Sequence, residues 1–156
     1  MLSLRDAQES DCRLLWEWRN EEAVRKTAFS SDPISWEDHQ KWFAGKLKDQ
    51  NCHLYVAVDK SEGPFGQVRF DFTSQDEAEI HLSIVSPMRG RGRGRELIGA
   101  AVDRLFSSTT IGAVSAYIKP ENAASIRAFE GEQFLRLGMI EKLGQQAFHM
   151  LKKRCP

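Results

Sequence analysis

The stretch SPMRGRGRGRELIGAAVDRLF, residues 86–106, holds four arginines and three glycines between Arg89 and Arg95. Apolar residues follow at Leu97, Ile98, Ala101, Val102, Leu105 and Phe106, the spacing of one helix face. The preceding AEIHLSIVS, residues 78–86, alternates. Ile80, Leu82 and Ile84 fall on one side, and Glu79, His81, Ser83 and Val85 on the other, as in a half-buried strand. The arginine-glycine run is therefore a loop from a strand into a helix. A helix N-terminus leaves its first N–H groups unpaired and favours negative charge. Gly90, Gly92 and Gly94 clear side chains from that backbone, and Arg89, Arg91, Arg93 and Arg95 add charge-assisted donors. The loop reads as a phosphate cradle for a polyanionic ligand.

The rest of the chain bounds the answer. Its 156 residues suit a single domain over residues 1–156. Lys plus Arg and Asp plus Glu each number 22, so the net charge is zero and a nucleic-acid partner is not expected. No apolar run reaches the roughly 20 residues of a membrane span, and the first residues lack a signal-peptide core, so a cytoplasmic protein is expected. Cys12, Cys52 and Cys155 match neither a disulfide framework nor zinc-ligand spacing, so free thiols and no metal are expected. The order of donors is not that of a P-loop, since no Gly-Lys-Ser/Thr follows. Gly90, Gly92, Gly94 and Gly99 do not fit G-x-G-x-x-G either.

Outward from the loop, residues 2–4 suggest a short strand, and Ser10 or Asp11 can cap a helix carrying Leu14, Leu15 and Trp18. Ser35 caps a second helix with Trp36, Trp42, Phe43 and Leu47. Residues 54–86 read as three strands joined by turns. A strand (AVSAYIK), a short helix after Asn122 and one or two closing strands complete the chain. The expected fold is α/β (α+β): a mixed, mostly antiparallel central sheet of six to seven strands flanked by about four helices.

Arg89-Gly90-Arg91-Gly92-Arg93-Gly94 resembles the R-x-x-G-x-G pyrophosphate loop of the GNAT superfamily of acetyl-CoA-dependent N-acetyltransferases. Asn122, Ser125 and Phe129 resemble the N-x-x-S-x-x-x-(Tyr/Phe) pattern of its next helix. The resemblance implies acetyl-CoA as cofactor, held by the loop arginines and glycines with Asn122, Ser125 and Phe129. It implies a backbone donor to the thioester oxygen near Ile84 or Val85. Glu79 and His81, on one strand face, are the candidate catalytic bases. Where many members carry a tyrosine acid, this chain has Phe129. The loop also has one residue fewer before its first arginine than is usual.

Trp18-Arg19-Asn20, with Ile34, Ser35, His39, Trp42 and Phe43, resembles a GNAT branch acting on nucleotide-linked amino sugars for bacterial surface glycans of the pseudaminic acid type. That makes Arg19, Asn20, His39 and Trp42 candidate acceptor contacts. Trp16, Trp18, Trp36 and Trp42 are read first as core. The expected partner is a small-molecule acceptor, the expected assembly a monomer or homodimer. Acetylation of a protein or peptide N-terminal amine, as in the ribosomal-protein branch, remains open. So does a non-catalytic module binding acyl-CoA or RNA.

Overall fold

A computed structural model describes residues 2–156. Seven strands form one sheet in the order β1-β2-β3-β4-β5-β7-β6. Their ranges are β1 Leu2–Asp6, β2 Cys52–Asp59, β3 Gly63–Phe72, β4 Glu77–Ile84, β5 Ala113–Ile118, β6 Leu135–Lys142 and β7 Gln145–Lys153. Every neighbouring pair is antiparallel except β4 with β5. The helices are α1 Cys12–Asn20, α2 Glu22–Thr27, α3 Trp36–Lys48, α4 Arg93–Ser108 and α5 Ala123–Gly131. The mixed sheet is as expected. The helix count is five instead of about four, because α2 escaped the pattern.

Two apolar clusters cover the two sheet faces. On one, Leu97, Ile98, Ala101, Val102 and Leu105 of α4 pack with Ile126 and Phe129 of α5 over Val68, Phe70, Ala78 and Ile80. Full burial of one such large side chain stabilises by about 1.5–3 kcal/mol. On the other, Leu15 and Phe43 pack on Leu54 and Val56, with Trp18 and Trp42 at the margin. Ser35 caps α3 by accepting the Asp38 N–H at 3.1 Å. β6 forms one edge and leaves Leu135, Leu137, Met139 and Ile140 in solvent. The three cysteines are free thiols. No helix among the described residues is long and apolar enough to cross a membrane.

Candidate active site

β4 and β5 pair only from Glu77 opposite Ala113 to Glu79 opposite Ser115. Beyond that point β5 continues along β7 and β4 along β3, so a gap opens between them. Val85 N–H donates to Phe65 C=O at 2.9 Å. Antiparallel hydrogen bonding alternates, so the N–H groups of Ile84 and Leu82 turn away from β3 and into the gap.

The loop closes one end of this gap. Gly90 and Gly92 have φ of 76° and 75°, a left-handed conformation that glycine adopts without a Cβ penalty. The first loop-to-helix bond is Glu96 N–H to Gly92 C=O at 3.3 Å. No N–H from Gly90 to Arg95 has an acceptor among the described residues. Of these six successive free donors, those of Gly90, Gly92, Arg93, Gly94 and Arg95 belong to residues lining one end of a cavity of about 580 Å³. Its other walls are Ala23, Val24 and Thr27 of α2, Leu82 to Ile84 of β4, and Asn122, Ser125 and Arg127 at the start of α5. An elongated ligand with a phosphate-bearing end fits this donor set.

The opposite face of β4 is polar and lies on the side of the sheet where α1 and α3 pack over β2. His81 Nε2 is 3.5 Å from Asp71 Oδ2 and 3.6 Å from Glu79 Oε1. Burial, then the charge of Arg69, pulls the His81 pKa down to about 4, so the ring is neutral at pH 7. Two carboxylates beside Nε2 favour a proton there and leave Nδ1 as the acceptor. Glu79 is ion-paired with Lys142. Asp71 accepts from Lys46 at 2.8 Å and from Arg69 at 2.9 Å. The Arg19 guanidinium lies 4.2 Å from the Trp42 ring centre, and that of Arg69 lies 5.0 Å from the same ring.

The family described as Acetyltransferase (GNAT) domain matches residues 1–134. The chain belongs to the GNAT acetyltransferase family. The enzyme class and the acetyl-CoA cofactor expected from the sequence follow from that membership. The aminoglycoside acetyltransferase AAC(6')-Ib in complex with coenzyme A superposes with a TM-score of 0.86 at 21% identity, over 99% of this chain and 95% of that one. The spermidine N-acetyltransferase of Vibrio cholerae in complex with CoA and spermine gives 0.88 at 20% identity, over 97% and 95%. An uncharacterized protein of Mycobacterium leprae (strain TN) is 32% identical over 91 residues, which is 57% of this chain. The chain spans about a quarter of that relative's length, 24%.

Within this GNAT domain the site residues expected from the sequence separate. Gly90, Gly92, Gly94, Arg89, Arg93, Arg95, Ile84, Asn122 and Ser125 line the cavity; Arg91 and Val85 do not. Arg91 turns to Glu62 at 3.4 Å and to Met88 Sδ at 3.7 Å. The Val85 N–H is already committed to β3, which corrects its expected role as a donor. Arg93 is drawn inward by Asp59 and by the Phe65 ring at 4.9 Å, so its main work is holding the loop to β2. Arg89 is 2.9 Å from Glu21, and Arg95 is 3.1 Å from Glu132.

Phe129 is 4% exposed, stands edge-on to Phe134 at 4.9 Å, and belongs to the core instead of the cofactor cleft. His39 is fully buried. It accepts from Arg19 at Nδ1 (3.3 Å) and donates from Nε2 to Cys12 C=O (2.8 Å), so it positions Arg19 and cannot touch an acceptor. Asn20 exchanges two hydrogen bonds with the Ile34 backbone, at 2.9 and 2.8 Å, and pins the segment before α3. Arg19 and Trp42 remain candidates for contact with an acceptor. The α2 wall, Arg127 and the Asp71–Arg69 pair were not singled out from the sequence. The alternation of β3 put Arg69 and Asp71 on one face and was the signal available for that pair.

Proposed function

We propose that the chain transfers the acetyl group of acetyl-CoA to the primary amine of a small acceptor carrying an anionic group, a nucleotide-linked amino sugar. Arg19 carries this reading. Its side chain is half-buried and makes no ion pair among the described residues, while burial and Arg69 pull its pKa down to about 10. It is still a cation at neutral pH. A desolvated guanidinium without a carboxylate, beside a second one and against an indole, suits a phosphate oxygen and an aromatic base. The polycationic acceptors of the two structural neighbours would be repelled there.

Acetyl-CoA supplies an acyl carbon bonded to a good leaving group, a thiolate of pKa about 8.5. The free N–H groups of Gly90, Gly92, Arg93, Gly94 and Arg95 would hold its phosphates, and Asn122 Nδ2, free while Oδ1 accepts the Ser125 N–H, would bind along its arm. The Leu82 and Ile84 N–H groups are the donors available to an oxygen gaining charge. Neutral His81 accepts the amine proton at Nδ1, with Asp71 and Glu79 steadying the ring. A base this weak serves once the nitrogen has begun to bond, because bonding makes its proton acidic. With Phe129 in the core, water reprotonates the thiolate.

A thiol-release assay tests the reading against UDP- and dTDP-linked amino sugars, peptides with free N-termini, spermidine and an aminoglycoside. Turnover is expected on the nucleotide sugars and absent with spermidine. Arg19→Ala should raise the acceptor KM more than tenfold, about 1.4 kcal/mol, with the acetyl-CoA KM unchanged. Turnover confined to peptides or polyamines overturns the acceptor assignment.

A further inference from the structure

Lys142 ends β6, but its ammonium does not reach for solvent. It pairs with Glu79, sits 4.2 Å from the centre of the Tyr117 ring, and faces Phe29 at 5.8 Å. Tyr117 is held flat against His149 at 4.7 Å, and Phe29 is tied to the β6–β7 turn by Gln145 Nε2–H donating to its carbonyl at 2.6 Å. One carboxylate and two ring faces make a cage for a protonated amine. The cage stands at the closed end of the gap, on the last β4 residue paired to β5. An acceptor amine needs a base within hydrogen-bond reach, and Lys142 Nζ already has that relation to Glu79. Lys46 and Lys119 differ: one pairs with Asp71, and the other donates to the Lys26 carbonyl at 3.1 Å. The stem of Lys142 is a flexible four-carbon chain. The Leu82 N–H, which also turns into the gap, lies three residues along the strand from Glu79, roughly 10 Å of rise.

We propose that Lys142 is an internal acceptor: holding acetyl-CoA and no external amine, the chain acetylates its own Lys142 Nζ. The idea rests on the acetyl-transfer reading above. Lys142 Nζ gives up a proton to Glu79, and its lone pair bonds to the acyl carbon. The carbon–sulfur bond breaks, and the thiolate that leaves takes up the proton. One acetyl-CoA is consumed, one CoA is released and one amide forms, with no oxidation or reduction. The product carries no charge, so Glu79 is released from its ion pair and the cage is opened to an outside amine. Lys142 then acts as a stopper that the enzyme's own chemistry removes.

The test uses the purified chain with acetyl-CoA and no added amine, followed by intact mass and peptide mapping. One acetyl group, about 42 Da, is expected at Lys142. Its rate should be independent of protein concentration, as an intramolecular reaction requires, and suppressed by free CoA. Glu79→Gln should slow labelling of Lys142 at least tenfold, and Lys142→Arg, which keeps the ion pair, should abolish the label on a folded protein. Labelling spread over surface lysines such as Lys41 and Lys60, insensitive to CoA, overturns the proposal. So does an unmodified Lys142. Thiol release on an external amine with Lys142 unmodified sinks self-acetylation alone; no thiol release with any amine sinks acetyl transfer itself.

Discussion

His39 accepts at one ring nitrogen and donates at the other, with no exposed surface. Charging the ring would turn the accepting nitrogen into a donor facing a guanidinium. Burial, its largest perturbation, accordingly holds the pKa below the imidazole value of 6.5. Its stabilising effect is complete above pH 6.5. It is lost as pH falls through that value, because the unfolded ring takes a proton that the folded ring refuses. The slope is at most about 1.4 kcal/mol per pH unit for one group. His53 and His81 are depressed too and act in the same direction. Urea unfolding should show a midpoint that drops between pH 7 and pH 5.5, and His39→Gln should flatten part of that drop. Phe129 carries a different lesson: Ile126 and Phe129 share one face of α5, so helical spacing alone placed the ring in the core.

The element that matters most is β4, because it borders the gap and bears both candidate bases. Gly66 on β3 sets how closely β4 can lie. A Cβ there would stand 2.8 Å from the Ser83 carbonyl oxygen, a backbone atom that cannot swing aside. Gly66→Ala should therefore cost about 1–3 kcal/mol in thermal unfolding. It should also lower kcat more than that loss of stability explains, since β4 must move where Ile84 offers its N–H. The alternation of β4, the stripe of α4 and the glycine run between them were legible in the sequence, and they position the cavity proposed to take the cofactor. α2 was not. Its six residues hold one large apolar side chain, Val24, too few to show a period. Its N-cap residue Glu21 pairs with Arg89 and makes no side-chain cap bond. The acceptor side was only half legible. Arg19 and Trp42 stood out, whereas Asn20 and His39 were recruited for packing by partners distant in the chain. No local pattern announces such partners.

At the scale of the whole molecule, a neutral chain answers each loop arginine with a carboxylate: Glu21, Glu62, Asp59 and Glu132 pair with Arg89, Arg91, Arg93 and Arg95. A phosphate ligand competes with two of these pairs, on Arg89 and Arg95. Added salt weakens both the ligand contact and its internal rival. CoA affinity measured by calorimetry should therefore fall by roughly threefold or less between 50 and 500 mM NaCl, the balance screening predicts. Glu21→Gln should tighten CoA about two- to fivefold at low salt, within the range of an exposed pair, and steepen the salt dependence. The remaining donors belong to the main chain, and that changes what inheritance can alter. Exchanging any one arginine leaves all six N–H groups in place, and only proline deletes an N–H outright. The proposed phosphate site can thus outlive wide drift in its side chains, provided Gly90 and Gly92 keep their left-handed turn. What descends at this loop is a curve of backbone, for which the glycines are the spelling and the arginines an accent.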